Sequence, residues 1–199
     1  MSLTLKGITK SYAEREVLRD FSYDFGENGV YVLKGESGSG KTTLLRIISG
    51  IDRDYAGSVE GSCKRFAVAF QEYRLFPTLS ALSNASLAVT QSRNDSRKSD
   101  AVAEKMLTDL GFKESELHLL PSELSGGMKQ RVSIARALLA DSDAVLLDEP
   151  TKELDPALCK RVNELIKITA EKKPVIVITH RSEDVIELGG TVIEIPTLH

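Results

Sequence analysis

The residues best suited to chemistry in this sequence form the run GESGSGKTT at positions 35–43. The run fits G-x-x-x-x-G-K-[ST], the phosphate-binding loop pattern, and its glycines allow the backbone to approach an oxygen closely. Lys41 would reach the β- and γ-phosphates of a nucleotide, and the Thr42 hydroxyl would complete a magnesium shell. The residues predicted to hold nucleotide here are Gly35, Glu36, Ser37, Gly38, Ser39, Gly40, Lys41, Thr42 and Thr43.

The elements around this run are the ones that a phosphate loop needs. The apolar run 30–33 predicts a buried strand before it, and residues 44–48 begin a helix with no breaker until Gly50. A loop between strand and helix aims several backbone N–H groups at one point, where the helix dipole favours an anion. The alternative is a Gly/Ser turn before an ordinary helix. The context favours nucleotide binding but does not say which class of NTPase this is.

Two adjacent acids follow another buried strand. Residues 144–147 are fully apolar and lead into Asp148 and Glu149. A carboxylate at the end of a buried strand, downstream of a phosphate loop, is where an Asp that organises Mg²⁺ is needed. Glu149 can polarise a water for in-line attack on the γ-phosphorus. The alternative is two solvated acids, and the phosphate loop favours the functional interpretation.

Three further side chains have weaker signals. Gln71 follows the apolar strand 66–70, at the strand end where open α/β sheets bind ligands, and His180 follows the apolar strand 174–179. Tyr12 lies in a polar turn predicted over 11–16 and could stack on an adenine ring. The structural alternatives are a surface glutamine, a structural histidine and an exposed tyrosine. Pattern alone leaves Gln71 open and favours the structural alternative for His180 and Tyr12.

The N-terminus of a second predicted helix also has residues suited to binding an anion. In the run LSGGMKQR at 124–131, a serine and two glycines precede apolar residues at helical spacing. The alternative is a simple N-cap. Two such openings in one chain, more than eighty residues apart, raise the question of how both are used. The residues concerned are Ser125, Gly126 and Gly127.

Composition narrows the class of protein. The chain has 199 residues, 41% hydrophobic and 28% charged, as is typical of a globular domain. The net charge of -3 gives no basic field of the kind that attracts nucleic acid. No apolar run approaches the ~20 residues needed to span a bilayer, and the N-terminus has no signal-peptide core. Cys63 and Cys159 have no metal or redox spacing, which favours reduced thiols in a cytosolic protein.

The remaining pattern places the motifs in an α/β fold. Strands predicted over 3–8 and 17–25 suit an antiparallel layer beside a parallel core. Residues 79–124 change character and predict a helical lobe inserted into the α/β body. The other predicted elements are a strand at 57–61, helices over 79–89 and 101–110 with a polar stretch at 91–100 between them, a helix from 155 to about 171, and a last strand at 191–195 with no regulatory domain expected after it.

Taken together, these residues resemble the nucleotide-binding subunit of ABC transporters over nearly the whole chain. The family's motifs occur in family order: Walker A at 35–42, Gln71 as the Q-loop, the signature LSGGMKQR, Walker B ending at Asp148-Glu149, and His180 as the switch histidine. The signature discriminates, because P-loop kinases and GTPases lack it. The flank FQEYRLFP at 70–77 further resembles bacterial importer-type subunits.

The resemblance implies the fold and the domain organisation. The expected fold class is α/β, with a P-loop NTPase core on a parallel sheet, an N-terminal antiparallel β layer and an inserted helical subdomain. A single ATPase domain is expected over 1–199. Its core would comprise 1–78 and 132–199, and the helical subdomain, with the signature, about 79–131.

Carried over by position, the resemblance also assigns roles. Lys41 and the loop amides would hold the phosphates of ATP, while Thr42 and Asp148 would organise Mg²⁺. Gln71 would touch the metal and the lytic water. The implied cofactors are therefore ATP and Mg²⁺, with Thr42, Gln71 and Asp148 as metal ligands.

Glu149 would act as general base and His180 would contact the γ-phosphate, so that the implied catalytic residues are Lys41, Gln71, Glu149 and His180. Tyr12 matches the family's aromatic A-loop, so the resemblance favours a contact with the base where pattern alone favours an exposed tyrosine.

The resemblance answers the question of the two helix openings. Ser125 and Gly127 would bind the γ-phosphate of ATP held by the opposite subunit, in an ATP-dependent head-to-tail homodimer. Closing and opening of this pair would drive integral-membrane permease subunits through a surface near Gln71 and the helical lobe. The chain is then expected in the cytoplasm, peripheral on the inner face of the cell membrane, with no nucleic-acid partner.

Two departures from the family pattern leave details open. Lys152-Glu153 stands where small residues are usual, which puts cross-dimer contacts in doubt, and Arg181 follows His180 where an Asp is common. The alternative function is a soluble, non-transport ABC-type ATPase switch that acts on nucleic acid, ribosomes or protein complexes. Such proteins typically carry a second ATPase domain, a long coiled coil or a basic arm, and the sequence shows none of these. An unrelated P-loop kinase is opposed by the signature.

Overall fold

The structure, a computed structural model, describes residues 2–13, 15–89 and 96–198, so that positions 91–95 of the predicted polar stretch lie outside it. The strands are β1 (Leu3–Tyr12), β2 (Arg15–Phe25), β3 (Gly29–Lys34), β4 (Ala56–Gly61), β5 (Phe66–Ala69), β6 (Ala144–Asp148), β7 (Pro174–Ile178) and β8 (Thr191–Glu194). The helices are α1 (Lys41–Ile48), α2 (Ala81–Ser86), α3 (Ser96–Asp109), α4 (Gly126–Leu139), α5 (Pro156–Ala170) and α6 (Ser182–Leu188).

A five-stranded parallel sheet with the order β5-β6-β7-β3-β8 forms the centre of the fold. Every residue of β6 and β7 is buried, which explains why their sequences are continuous apolar runs. Because the strands are parallel, the carboxyl ends of β3, β5, β6 and β7 meet at one edge. This edge carries the phosphate loop, Gln71, Asp148 and His180.

An antiparallel sheet with the order β2-β1-β4 forms a second layer, as predicted. Its connection is shorter than the polar turn expected over 11–16. Tyr12 pairs with Arg15 and Ser11 with Glu16, so the backbone ladder continues through residues that have no apolar pattern. Tyr12 is therefore the last residue of a strand and not part of a turn.

The parallel sheet has a separate hydrophobic core on each of its faces. Val145 and Leu147 of β6 face a core shared with α4 and α5, whereas Leu146 between them faces a core shared with α1 and β1. The alternation follows from the two-residue period of a strand. Helix α1 is thereby packed between the two sheets, and its N-terminus is fixed at the edge that carries the site.

The helices agree with the predicted pattern except in three places. Helix α2 is shorter than 79–89, and α3 begins at Ser96, within the polar stretch expected to separate the two helices. Helix α6 was not predicted. It has seven residues and Arg181 gives it no side-chain cap, while Ile186 is 81% exposed, so it has neither an N-cap signal nor a clean apolar stripe.

The inserted helices pack on one another and on the core through α4. This helix runs unbroken across the boundary expected at 131/132, so the division into core and subdomain stays a prediction. The segment between Gln71 and α2 is fixed by buried Asn84, which accepts from Phe76 N at 2.8 Å and donates to the Leu79 carbonyl at 2.8 Å. Over the described ranges, none of the helices has both the length and the apolarity of a membrane span.

Candidate functional site

The loop between β3 and α1 has a backbone that suits close approach to an anion. Gly35, Gly38 and Gly40 have φ values of 151°, 82° and 91°, a region that residues with a side chain avoid. A Cβ on Gly35 would lie 2.5 Å from the Ile195 carbonyl oxygen and 2.6 Å from Ser39 Oγ. A larger residue there would displace the loop, so the loop shape depends on glycine.

Lys41 is the first residue of α1, and its side chain lies on the inner side of the phosphate loop. Its side chain is buried, and the ammonium donates to the carbonyl oxygens of Gly35 at 2.9 Å and Glu36 at 2.6 Å, with Ser39 Oγ at 3.4 Å. Burial lowers the pKa of Lys41, and the nearby acids oppose that change. All three of these acceptors belong to the loop, and the loop is the segment that would surround a phosphate.

Thr42 and Asp148 place two oxygens side by side at the end of β6. Thr42 Oγ1 donates to Asp148 Oδ2 at 2.8 Å. Asp148 is 1% exposed, and its other oxygen, Oδ1, has no hydrogen-bond partner among the described residues. Burial raises the pKa of Asp148, and the charge of Glu149 adds to the effect. A hydroxyl and a carboxylate oxygen without a partner fit a hard cation such as Mg²⁺.

Glu149 is held by its own neighbours. It has a φ of 51°, and its N–H donates to the Ile178 carbonyl at 2.9 Å, which fixes the turn after β6 against the end of β7. Its Oε2 lies 2.9 Å from Lys152 Nζ and its Oε1 lies 3.5 Å from His180 Nε2. The hydrogen bond with Glu149 raises the pKa of Lys152, so this amine is charged at neutral pH. Both carboxylate oxygens are thus engaged within the chain.

An open cavity of about 460 Å³ brings most of the predicted residues together. Gln71 enters it from the loop after β5, and Tyr12 from the end of β1. Arg15, Val17 and Ile178 also line it, and the sequence did not indicate them, because strand residues next to a site carry no motif. The predicted residues on its walls are Tyr12, Ser37, Gly38, Gly40, Lys41, Thr42, Thr43, Gln71, Asp148, Glu149 and His180.

Three residues of the predicted phosphate loop do not line the cavity. Gly35, Glu36 and Ser39 hold the Lys41 ammonium with two carbonyl oxygens and one hydroxyl, and of the three only Ser39 is buried. Their observed contribution is to the shape of the loop.

The signature residues lie elsewhere on the surface. Ser125 is the N-cap of α4, with its Oγ accepting from Met128 N at 3.2 Å, and Gly126 and Gly127 form the first turn. Ser125 is exposed. None of the three lines the cavity with Lys41. One copy of the chain therefore does not bring its two helix openings onto one ligand.

Comparison with known proteins gives the family. The family model described as ABC transporter matches residues 18–152. The chain is 35% identical to the probable amino-acid ABC transporter ATP-binding protein of Haemophilus influenzae, over 96% of this chain and 82% of that protein. It is also 35% identical to an aliphatic sulfonates import ATP-binding protein of Corynebacterium glutamicum, over 96% of this chain and 78% of that protein. The glutamate/aspartate import ATP-binding protein of Escherichia coli K12 is 35% identical, over 89% of this chain and 80% of its own length.

Solved structures agree with these relatives. A dimeric ATP-binding cassette in a post-hydrolysis state, bound to ADP and Pi, superposes with a TM-score of 0.86 at 28% identity, covering 99% of this chain and 97% of the other. A dimeric bacterial ABC transporter cassette gives the same TM-score at 29% identity, covering 98% and 94%. The chain belongs to the ABC transporter family, as one of its ATP-binding and ATP-hydrolysing subunits.

Proposed function

We propose that the chain binds ATP with Mg²⁺ in the cavity between Lys41 and Glu149, hydrolyses it, and thereby drives a membrane-embedded partner. The observation that carries the proposal is a single cavity that combines three parts. These are a glycine loop around a buried ammonium, a hydroxyl–carboxylate pair with a buried oxygen that lacks a partner among the described residues, and a carboxylate beside a histidine.

The phosphates would bind at the loop and at the N-terminus of α1. The Lys41 ammonium now donates to neutral carbonyl oxygens, and anionic phosphate oxygens would compete for the same donors with stronger, charge-assisted bonds. The first N–H groups of α1 and its dipole add to the attraction. Tyr12, at the far wall of the cavity, would stack on the adenine.

Thr42 and Asp148 would hold Mg²⁺, with Gln71 approaching from the β5 side of the cavity. Bound Mg²⁺ would neutralise charge on the phosphate oxygens. In the chain itself, Asp148 is prepared for this role because its Oδ1 is buried without a partner among the described residues. The oxygen would gain a partner only when a cation binds.

Glu149 would act as the general base. Its carboxylate would accept a proton from the water that attacks the γ-phosphorus, and the bond from phosphorus to the bridging oxygen of ADP would break. His180, 3.5 Å from Glu149 Oε1, would donate to a γ-phosphate oxygen. Phosphate and ADP would be the products.

The active form would be a head-to-tail pair of identical chains. Ser125, Gly126 and Gly127 form an exposed helix N-terminus outside the cavity, so that a γ-phosphate could meet them only across an interface. In a pair related by a two-fold axis, each chain would present its signature residues to the nucleotide of the other, so that the same contact would occur twice. The dimeric cassettes that this chain resembles support this arrangement.

The driven partner would be a permease in the membrane, with this chain bound on the cytoplasmic face. Support comes from the relatives, whose names describe import and transporter ATP-binding proteins. The surface near Gln71 and the helices around it would transmit closure of the pair. Purification from membranes should recover an integral-membrane protein together with this chain. Recovery of ribosomes or nucleic acid without a membrane protein would instead support the soluble-switch alternative.

Phosphate release from Mg-ATP tests the enzymatic part. Glu149→Gln should lower the rate at least about 100-fold, because general-base catalysis contributes about that much or more. The same variant should still bind ATP and should double its mass by light scattering when ATP is added. Glu171→Gln makes the same chemical change at an exposed site and is the matched control. Hydrolysis by Glu149→Gln at the rate of the unaltered chain would contradict the role given to Glu149.

A further inference from the structure

Tyr12 is held in place by two residues that do not themselves line the cavity. Its hydroxyl donates to Asp52 Oδ2 at 3.1 Å, and Lys10 Nζ lies over its ring at 4.9 Å from the centroid. The ring is 45% exposed and forms part of the cavity wall. Its edge and one of its faces are therefore already occupied, and the rest is open to a ligand.

The buried Lys10 forms an ion pair with Asp52, which is partly exposed. Lys10 is 5% exposed, its Nζ lies 3.1 Å from Asp52 Oδ1 and 3.2 Å from Asp54 Oδ2, and it also donates to the Asp54 carbonyl. Burial raises the pKa of Asp52, but the bonds from Lys10, the Asp54 amide and Tyr12 outweigh it and hold the pKa below its usual value. One carboxylate oxygen binds the ammonium and the other binds the tyrosine.

The ion pair also connects Tyr12 to the helix of the phosphate loop. Asp52 lies just beyond the end of α1, and its N–H donates to the Arg46 carbonyl at 3.0 Å. The N-terminus of the same helix begins with Lys41. The ring in the cavity wall is thus connected, through Asp52 and α1, to the phosphate loop. An ion pair that only fastened β1 to this segment would not need to bind the tyrosine hydroxyl.

We propose that Asp52 and Lys10 are positioning residues that fix the Tyr12 ring in the orientation in which it stacks on the nucleotide base. The proposal rests on the nucleotide site proposed above. The ammonium covers one face of the ring through a cation–π contact, which leaves the opposite face for the base. Because the ring is ordered before the ligand arrives, binding does not lose the affinity that ordering a side chain costs.

Calorimetric titration with two ligands separates this role from the phosphate site. Mg-ADP contains the base and Mg-pyrophosphate does not, and neither is hydrolysed by ATPase chemistry. The variants are Asp52→Asn, Tyr12→Phe and the two combined. Asp54→Asn makes the same change in the neighbouring carboxylate, which touches Lys10 but makes no bond to Tyr12, and is the matched control.

Asp52→Asn and Tyr12→Phe should each weaken Mg-ADP about three- to tenfold, the range expected for an ordered side chain that is released. The double variant should bind no more weakly than the weaker single variant, because both changes act on one contact, the hydrogen bond from the Tyr12 hydroxyl to residue 52, which an amide accepts less strongly than a carboxylate. Mg-pyrophosphate binding should stay within about twofold throughout, and Asp54→Asn should bind both ligands as the unaltered chain does.

The proposal is overturned by any of three results. These are normal Mg-ADP affinity in Asp52→Asn, a loss of affinity in the double variant equal to the product of the two single losses, or a loss of Mg-pyrophosphate affinity that parallels the loss for Mg-ADP. Because Tyr12→Phe leaves the ion pair in place, it tests the proposal even if Asp52→Asn does not fold, and normal Mg-ADP binding by Tyr12→Phe would also overturn it. If the unaltered chain binds neither ligand, the nucleotide site fails first, and the positioning role fails with it.

Discussion

Replacing Asp148 by Asn should make the ligand-free chain more stable while it removes the Mg²⁺ site. The amide keeps the shape of the side chain and its contact with Thr42 but removes the charge. Asp148 is 1% exposed, and its Oδ1 has no partner among the described residues. The buried Oδ1 shares the negative charge of the carboxylate, and desolvating that charge costs several kcal/mol, of which the attraction of Lys41 and the amide group left without a partner in the variant offset the larger part. We expect the free energy of unfolding to rise by about 1–2 kcal/mol, or the Tm by about 2–8 °C in a domain of this size.

The effect should depend on pH with a definite sign. Burial raises the pKa of Asp148 in the folded chain above its unfolded value. The folded state then holds this proton more tightly, and the stability of the unaltered chain falls as the pH rises from the unfolded pKa through the folded pKa. The advantage of Asp148→Asn should be complete above the folded pKa and should disappear below about pH 4, where both chains are neutral at this position.

Thermal unfolding followed by circular dichroism, first in EDTA and then with Mg-ADP, is the assay. In EDTA the variant should unfold at the higher temperature. With Mg-ADP at about 100 times its Kd the unaltered chain should gain about 2.7 kcal/mol, and the order of the two should reverse because the variant lacks the metal ligand. Thr42→Val, which removes the hydroxyl that donates to Asp148 Oδ2, should have the opposite sign in EDTA. If Asp148→Asn is less stable than the unaltered chain in EDTA, the argument from the buried oxygen is wrong.

Three further changes test other parts of the site. Lys152→Ala should raise the basal rate of phosphate release several-fold with an unchanged KM for ATP, because the ammonium 2.9 Å from Glu149 Oε2 competes for the lone pair that must accept the proton, and Lys152→Arg should keep the low rate. Gly40→Ala should weaken Mg-ADP by more than about tenfold in calorimetry, since φ is 91° and a Cβ would lie 2.6 Å from the Val17 carbonyl oxygen. Asn84→Ala should lower the free energy of unfolding in urea by about 2–5 kcal/mol, because it leaves buried backbone groups of the segment after Gln71 without partners.

The parallel sheet could be predicted from the sequence because strands that are buried on both faces are continuous apolar runs. Residues of β7 and the first four of β6 are apolar, and every position of both strands is buried, so the strands could be located without any long-range information. The phosphate loop could also be predicted from local sequence, since its glycines, Lys41 and Thr42 lie within one continuous run. Helix α6 has no comparable pattern: it is short, has no side-chain cap at its N-terminus and exposes Ile186, and its position depends on packing against α5.

Contacts between distant segments could not be predicted from local pattern. The bond between Thr42 and Asp148 joins residues that are 106 positions apart, and the chemistry expected downstream of a phosphate loop, supported by the family resemblance, assigned both to one Mg²⁺, whereas their spacing did not. The Lys152–Glu149 ion pair is the reverse case. The sequence marked Lys152 as a departure from the family, but it did not identify the partner of its ammonium, Glu149, which lies three positions earlier in the chain.

For Tyr12, the family pattern identified the residue but not the contacts that hold its side chain in position. The tyrosine has no local signal stronger than that of an exposed aromatic, and the turn that the sequence predicts around it is replaced in the structure by the last pair of a β ladder. Its hydroxyl partner, Asp52, is 40 positions away and belongs to a different element. That partner lies just beyond the end of the helix whose first residue is Lys41 and is bonded to it, so the part of the cavity wall formed by Tyr12 depends on the same helix that would bind the phosphates. A change at the C-terminal end of α1 should therefore alter recognition of the base before it alters recognition of phosphate, an order that the phosphate-loop motif alone does not suggest.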